Sequence, residues 1–240
     1  MEVYSITDKG ETRKSNEDNY FSIDSKIGPV PNIFFVADGM GGENAGQYAS
    51  ERATECILKY LKETDNKEPV KAIKEAINYA NSVIYRESKE DEAKKGMGTT
   101  LVLATVLENQ IIVANVGDSR LYLCEAGHLK QVTVDHSFVN ELVRLGKVSK
   151  EEAKNHPTKN KITRAVGAEE KIQADFFDID LKKDDILLLC SDGLTNMVSD
   201  DCIEQILNEN ISLCERAQKL VDKANENGGI DNITVILVKL

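Results

Sequence analysis

Four aspartates in this chain stand at the ends of apolar, strand-like runs. Asp38 follows Asn32-Ile-Phe-Phe-Val-Ala, Asp118 follows Ile111-Ile-Val-Ala-Asn-Val-Gly, and Asp192 follows Ile186-Leu-Leu-Leu-Cys-Ser. Asp231 directly precedes Asn232-Ile-Thr-Val-Ile-Leu-Val. Short runs rich in Val and Ile read as buried strands. A carboxylate at the lip of a buried strand loses hydration worth several kcal/mol unless a positive group compensates. Four of them could share one region only with strong cations present, and hard, oxygen-liganded metals such as Mg²⁺ or Mn²⁺ are the economical choice.

Composition narrows what such a chain can be. With 240 residues, 41% of them apolar, it can bury a sizeable core as one domain spanning 1–240. No apolar run approaches the roughly 20 residues of a membrane span. The N-terminus, Met1-Glu-Val-Tyr-Ser-Ile-Thr-Asp, lacks the basic and apolar regions of a signal peptide and reads as a strand. The cytoplasm is the expected compartment. Five cysteines (Cys56, Cys124, Cys190, Cys202, Cys214) without CxxC spacing read as buried free thiols, neither disulfides nor zinc ligands. The net charge of -11, from 41 acidic and 30 basic residues, argues against broad nucleic-acid binding, which needs a cationic face.

The pattern along the chain points to an α+β fold. Strand-like runs fall at 2–7, 18–24, 32–37, 100–107, 110–116, 120–124, 130–134, 172–179, 186–190 and 233–239. Leu107-Glu-Asn-Gln110 and Glu125-Ala-Gly-His128 read as hairpin turns, and short turns between consecutive strands favour antiparallel sheets. Helical spacing marks 44–63 (Ala45, Ala49, Ala53, Cys56 or Ile57, Tyr60 or Leu61) and 69–88 (Val70, Ile73, Ile77, Ala80, Ile84). Further helices fit 200–208 and 212–226, the latter opened by a Ser212/Glu215 capping box and ended at Gly228-Gly229. Helices at 137–145 and 150–155 interrupt the strand-rich half, so 137–165 reads as an inserted flap. The simplest architecture is two packed antiparallel sheets covered by helices on the outside.

The motifs give this frame a chemistry. Asp38-Gly-Met-Gly-Gly42 puts an acid before a glycine-rich turn, where backbone can approach a ligand and a carbonyl can bind a hard metal. It lacks the Gly-Lys-Ser/Thr ending of a P-loop, which argues against a nucleotide site. Gly117-Asp-Ser-Arg120, Ser191-Asp-Gly193 and Gly229-Ile-Asp-Asn232 repeat the theme. Each alone reads as a turn; the recurrence of an acid close to glycine at four strand ends shifts the reading towards a site. Arg13-Lys-Ser-Asn-Glu-Asp18 adds an arginine suited to bidentate phosphate binding, with Glu17 and Asp18 able to hold metal-bound waters, although composition alone favours a polar hairpin turn. Two hard metals beside an arginine imply displacement at a phosphoryl group, one of the slowest uncatalysed reactions. A Cys-x₅-Arg loop, which would supply a covalent nucleophile, does not occur in the sequence.

Taken together, the residues resemble the metal-dependent serine/threonine protein phosphatase family (PPM, type 2C), most closely its bacterial single-domain members. The resemblance runs from Gly10-x-x-Arg-x-x-Asn-Glu-Asp18 through Asp38-Gly-Met-Gly-Gly42, Gly96-Met-Gly-Thr-Thr100, Gly117-Asp-Ser-Arg120, Asp135-His136-Ser137, His156-Pro-x-Lys-Asn160, Ile162-Thr163-Arg164 and Ser191-Asp-Gly193 to Gly229-Ile-Asp-Asn-Ile-Thr234. It implies a four-layer α-β-β-α sandwich in which Asp38 bridges two Mn²⁺ or Mg²⁺ ions and the Gly39 carbonyl binds one of them. Asp192 and Asp231 would complete the second ion's protein ligands, Glu17 and Asp18 would act through waters, and Asp118 with Asp192 would hold a third, weaker ion. Arg13 would bind the substrate phosphate, and water between the core metals would attack phosphorus in line, with no covalent intermediate. The implied partners are phosphorylated proteins and a Ser/Thr kinase whose signalling the enzyme reverses; the family is usually monomeric. Many eukaryotic members carry a histidine where this chain has Met40, and methionine cannot donate a proton to the leaving oxygen. The candidates left are a metal-bound water near Asp118 and His136, the latter better suited to ordering the start of the flap. A binding-only relative is disfavoured by the intact Asp38, Asp192, Asp231 and Arg13, and a Ca²⁺ module by the lack of an EF-hand loop.

Overall fold

Strand residues face alternate sides of a sheet, and here the two sides belong to different cores. In the strand Ile33–Met40, Phe34 and Val36 point into one apolar layer while Ile33 and Phe35 point into another. In Ile186–Cys190, Leu187 and Leu189 share the layer of Phe34 and Val36, whereas Leu188 and Cys190 face a third. Strands apolar on both faces must be covered on both faces, and this one rule dictates four layers. The structure, a computed structural model, describes residues 1–240 except 43, 44, 150, 151, 154 and 155.

Eleven strands are described: β1 (Glu2–Asp8), β2 (Asp18–Ile23), β3 (Ile33–Met40), β4 (Gly98–Thr99), β5 (Leu101–Leu107), β6 (Gln110–Val116), β7 (Arg120–Glu125), β8 (His128–Gln131), β9 (Asp175–Asp180), β10 (Ile186–Cys190) and β11 (Ile233–Lys239). One sheet runs β1-β11-β10-β7-β8 and the other β2-β3-β5-β6-β9, with β4 added to the end of β3. Every pairing is antiparallel, as the short turns predict. The Glu125–His128 hairpin closes through Ala126 and Gly127 at φ 49° and 85°, positive values that suit the twist of the flanking strands.

Helices α1 (Ala45–Glu63) and α2 (Pro69–Glu90) pack on each other and cover the second sheet. Helices α4 (Asp192–Thr195), α5 (Asp200–Leu207) and α6 (Leu213–Glu226) cover the first. The expected stripes of α1 and α2 are buried apart from Val70, which is 41% exposed because the buried face of α2 begins only at Ala72 and Ile73. Ser212 and Glu215 form the expected reciprocal capping box. The flap carries α3 (Phe138–Arg144), capped by Ser137. The helix expected at 150–155 lies largely outside the described residues, although Ser149 and Glu152 make the capping bonds expected of them.

Several boundaries differ from expectation for physical reasons. The run ending at 37 continues to Met40, because Gly39 and Met40 pair with Thr99 and Gly98 of the short β4. The segment expected at 130–134 pairs instead at His128–Gln131, since the turn needs only two residues. The segment expected at 172–179 pairs at Asp175–Asp180, where it lies against β6. All five cysteines are free, but Cys214 is exposed and Cys202 partly so, because they sit outside the buried stripes of α6 and α5. Among the described residues, no helix is long and apolar enough to cross a membrane.

Truncating Leu189, fully buried between the sheets, should cost about 2–5 kcal/mol in denaturant unfolding, the range of large-to-small core changes. Ser212→Ala, which removes only a cap, should cost about 1 kcal/mol. Equal losses would refute the assignment of Leu189 to the central layer.

Candidate metal centre

The inward-facing register that carries Phe34, Val36, Leu187, Leu189 and Ile236 continues, one step past the last apolar rung, onto polar side chains. Two residues beyond Val36 is Asp38; two beyond Leu189 is Ser191; two before Ile236 is Thr234. By the same parity Thr100 precedes Val102, Ser119 precedes Leu121, and Asn115 follows Val113. Asp18 faces Asp38 directly across β2 and β3. The mouth of the sandwich is therefore a polar ring set on the rim of an apolar slot.

Asp18 is the best-defined member. It is 8% exposed, and its Oδ2 accepts from Thr234 Oγ1 at 2.6 Å and Ser191 Oγ at 2.7 Å. Its other oxygen, Oδ1, is buried without a partner. Asp38 is held by its backbone: its N–H donates to Thr100 Oγ1 (3.0 Å), and its carbonyl accepts from Thr100 N (2.8 Å) and Thr99 Oγ1 (2.9 Å). Gly39 N–H donates to the Glu17 carbonyl at 3.1 Å. A side chain on Gly39 would come within 2.0 Å of the Gly46 carbonyl, so only glycine lets the strand lie against the start of α1.

Asp192 opens α4, where Asn196 Nδ2 donates to its Oδ2 at 2.9 Å. Because β10 and β11 are antiparallel, the end of one and the start of the other share an edge, which brings Asp231 to the same mouth. Asn232 fixes that corner, accepting from Glu17 N and donating to the carbonyls of Lys9 and Ser15. Asp118 lies in the link 117–119, which passes from β6 in one sheet to β7 in the other. Gly117 takes φ 105° there, and a side chain on it would strike Thr100. A cleft of about 890 Å³ is lined by Asp118 and Asp192 and by Val139 and Asn140 of the flap helix. A smaller one, about 430 Å³ and around Lys182 and Arg216, contains none of these acids.

The carboxylates perturb one another as their convergence requires. Burial and the charges of Asp18, Asp192, Asp118 and Asp231 push the Asp38 carboxyl well above its usual range. Burial likewise raises Asp18 to about 7, against the bonds from Thr234 and Ser191. Burial, then Asp192 and Asp135, raise Asp118 to about 8; burial and Asp231 raise Asp192 to about 6. Glu17 is raised mainly by burial. Among the described residues, no three of these side chains already close around one point at ligand distance. The donor set nonetheless fits divalent cations: every candidate ligand is a hard oxygen, one of them is buried and orphaned, and the clustered charge is under-neutralised.

Arg13 forms an ion pair at the mouth. Its Nη2 donates to Asp231 Oδ2 at 2.7 Å, so the expected phosphate binder is paired with a candidate metal ligand at the exposed rim. His136 is buried with both ring nitrogens engaged, which removes it as a proton donor to the leaving group. Ser191, Thr234, Thr100, Ser119 and Asn232, which the sequence motifs contain without a role of their own, had a signal in the period-two parity of their strands and in adjacency to Asp192 and Asp231.

The model of the family described as "Protein phosphatase 2C" matches residues 3–233 of this chain. The chain belongs to the protein phosphatase 2C family. It is 46% identical over 239 residues to the serine/threonine phosphatase stp of Listeria welshimeri, covering 97% of this chain and 93% of that relative. The crystal structure of the serine/threonine phosphatase Stp1 from Staphylococcus aureus matches with a TM-score of 0.91 at 36% identity, over 100% of this chain and 94% of that one. The catalytic domain of the phosphatase PstP in complex with two manganese ions matches with a TM-score of 0.86 at 30% identity, over 98% and 96%. The two-sheet, helix-flanked architecture is thus that of the protein phosphatase 2C fold.

The raised carboxyls set a pH dependence. The folded protein holds protons that the unfolded chain, with carboxyls near 4, would release, so metal-free stability falls as pH rises through about 6, 7 and 8. In EDTA the melting temperature should drop by about 5 °C between pH 6 and pH 8, and Mn²⁺ should restore more at pH 8 than at pH 6. Asp38→Asn should raise the metal-free melting temperature at pH 8 and blunt the Mn²⁺ effect. A metal-free melting temperature that climbs from pH 6 to 8 would rule out this electrostatic account.

Proposed function

We propose that this chain is a Mn²⁺/Mg²⁺-dependent phosphoserine/phosphothreonine protein phosphatase. We read 1–240 as one catalytic domain, monomeric and cytoplasmic, whose partners are phosphorylated proteins and a Ser/Thr kinase that it opposes. The observation that carries this reading is the partly buried Asp38, facing the buried Asp18 and pushed towards protonation by Asp192, Asp118 and Asp231, at the mouth of a protein phosphatase 2C fold.

In this reading Asp38, the Gly39 carbonyl, Asp192 and Asp231 hold two core ions. Glu17 and Asp18 act through waters, and Asp118 with Asp192 holds a third, weaker ion. Bound there, the ions supply Lewis acidity to the phosphoryl oxygens and make water nucleophilic near neutral pH. The protein's own part is to place the phosphoester in line and keep its side chains out of covalent chemistry. Cys190 faces the helix-side layer, and burial pushes its thiol up to about 12, so it offers no thiolate. Ser191 Oγ is fully buried, donating to Asp18 and accepting from Thr234 N, so it is not free to attack.

Arg13 is the phosphate-binding group of this reading. Its guanidinium is half exposed at the rim, and neutralising Asp231 frees its fork of donors for the equatorial phosphoryl oxygens. The leaving alkoxide needs a proton that Met40 cannot give and buried His136 cannot deliver, which leaves water on the Asp118 side of the cleft as the donor. The flap helix lines that cleft, where it meets the polypeptide flanking the phosphorylated residue.

Purified protein should hydrolyse a phosphothreonine peptide with Mn²⁺ and lose that activity in EDTA. Asp38→Asn should lower kcat by about a thousand-fold, the worth of several kcal/mol of transition-state charge stabilisation, while the protein stays folded. Undiminished turnover in EDTA, or near-normal kcat in Asp38→Asn, would sink the proposal. Arg13→Ala should raise KM about tenfold with a smaller change in kcat, as expected for loss of a phosphate contact already made in the ground state; an unchanged KM would remove Arg13 from phosphate binding.

A further inference from the structure

Asp118 is placed by a three-residue link between sheets, and such a link has little of its own to hold it. His136 holds its start at Gly117, as Thr100 holds its end at Ser119. Gly117 and His136 bond in both directions: His136 N–H donates to the Gly117 carbonyl at 2.9 Å, and Gly117 N–H donates to His136 Nδ1 at 3.1 Å. Nδ1 therefore presents its lone pair, and the ring proton belongs on Nε2. Nε2 lies 3.0 Å from Asp175 Oδ2, the acceptor that fixes this tautomer. Arg164 Nη1 lies 3.2 Å from the same Nε2, but a guanidinium can only donate, and with the proton on Nε2 it serves the other Asp175 oxygen, at 2.9 Å. Partial burial works to raise Asp175, but its bonds from His136 and Arg164 outweigh that and leave it lowered.

The same histidine ties this corner to the flap. Its carbonyl accepts from Thr163 N at 2.7 Å, Ser137 bridges to Ile162, and Phe138 N donates to the Lys161 carbonyl at 2.8 Å. Asp175 opens β9 directly opposite Asn115, whose Nδ2 donates to the Gly117 carbonyl at 3.3 Å. A closed loop of contacts thus joins the end of β6, the Asp118 turn, the flap base and the start of β9. His136 is 6% exposed, too deep to meet a substrate but adjacent to the turn that presents Asp118.

The geometry points to His136 as a positioning residue that sets the Asp118 turn through Nδ1, with Asp175 fixing its tautomer and the flap base sharing the same anchor. This rests on the reading of Asp118 as a ligand of the weaker cation. The inference makes a claim that a merely structural histidine would not: the acceptor at Nδ1 governs cation affinity, and the donor at Nε2 serves it.

Asparagine and glutamine separate these two functions. The amide oxygen of Asn can stand near Nδ1 and accept from Gly117, whereas the amide nitrogen of Gln reaches the Nε2 position and leaves Gly117 N–H unpaired. The full chain, freed of metal, would be titrated with Mn²⁺ by calorimetry. The wild type should show tight sites and a weaker one, the weaker lost in Asp118→Ala. His136→Gln should weaken that site about 10- to 100-fold, the usual effect of removing an orienting contact behind a ligand, and leave the tight sites unchanged. His136→Asn should keep it within about threefold. Asp175→Ala, at a half-exposed position that spares the core, should weaken the same site and serves if His136→Gln does not fold. At saturating Mn²⁺ the phosphopeptide KM should be unmoved in His136→Gln. Equal behaviour of the Gln and Asn variants, or a loss confined to the tight sites, overturns the inference. If Asp118→Ala leaves all Mn²⁺ binding intact, the assignment of Asp118 as a ligand fails and this inference with it; if Asp118→Ala acts and neither His136→Gln nor Asp175→Ala does, this inference alone fails.

Discussion

The structure depends on the burial of Asp18 against Asp38. Antiparallel register sets these two residues opposite each other, and strand parity turns both into the slot between the sheets. A pair of like charges there is unfavourable, and the fold answers only in part. Thr234 and Ser191 satisfy one oxygen of Asp18 and leave the other bare. The three apolar layers, supplied by nearly every strand and by α1, α2, α5 and α6, hold the strands together against this repulsion. In the proposed reading, the unfavourable electrostatics and the affinity for divalent cations are one free energy seen from two directions: what metal-free folding loses by gathering the carboxylates, a bound cation would recover.

Much of this arrangement was legible in the sequence. The strand runs, the helical stripes of α1 and α2 and the Ser212/Glu215 box are local patterns, and each corresponds to an observed element. The motif at Asp38 was legible as a site, but its local structure was not. Asp-Gly-Met-Gly-Gly looks like a turn, yet Asp38 is strand because it pairs with Asp18, and Gly39 and Met40 are strand because β4, sixty residues away, pairs with them. That pairing is a tertiary fact and no local propensity encodes it. Gly39 is required by its approach to Gly46, a contact between segments that sequence spacing does not bring to mind.

Asp118 illustrates the opposite case. Its motif, acid and glycine between two strands, resembled the other three, but β6 and β7 belong to different sheets and the link between them crosses the sandwich. Strand order cannot be read from one sequence, so neither could this crossing. Arg13 was legible as a polar, phosphate-suited residue; its pairing with Asp231 depends on the register that brings residue 229 against residues 11 and 12.

The ring at the mouth also explains why so few of its members can change independently. Thr100 bonds the backbone of Asp38 and exchanges a bond with Ser119, the residue after Asp118, at 2.7 Å. Ser191 bonds Asp18 and receives Thr234 N while preceding Asp192. Each small hydroxyl thus links two acids that lie far apart in the chain. Their bonds are individually worth only about 0.5–1.5 kcal/mol, so they contribute little to stability compared with the apolar layers. Their larger consequence is geometric. Buried hydroxyls with both neighbours satisfied have one low-energy arrangement, and that arrangement fixes the spacing of carboxylates that would otherwise move apart under their own repulsion. In the proposed reading, such a site is held open for cations by polar contacts on its inner side, with its substrate-facing side left to Arg13 and the flap.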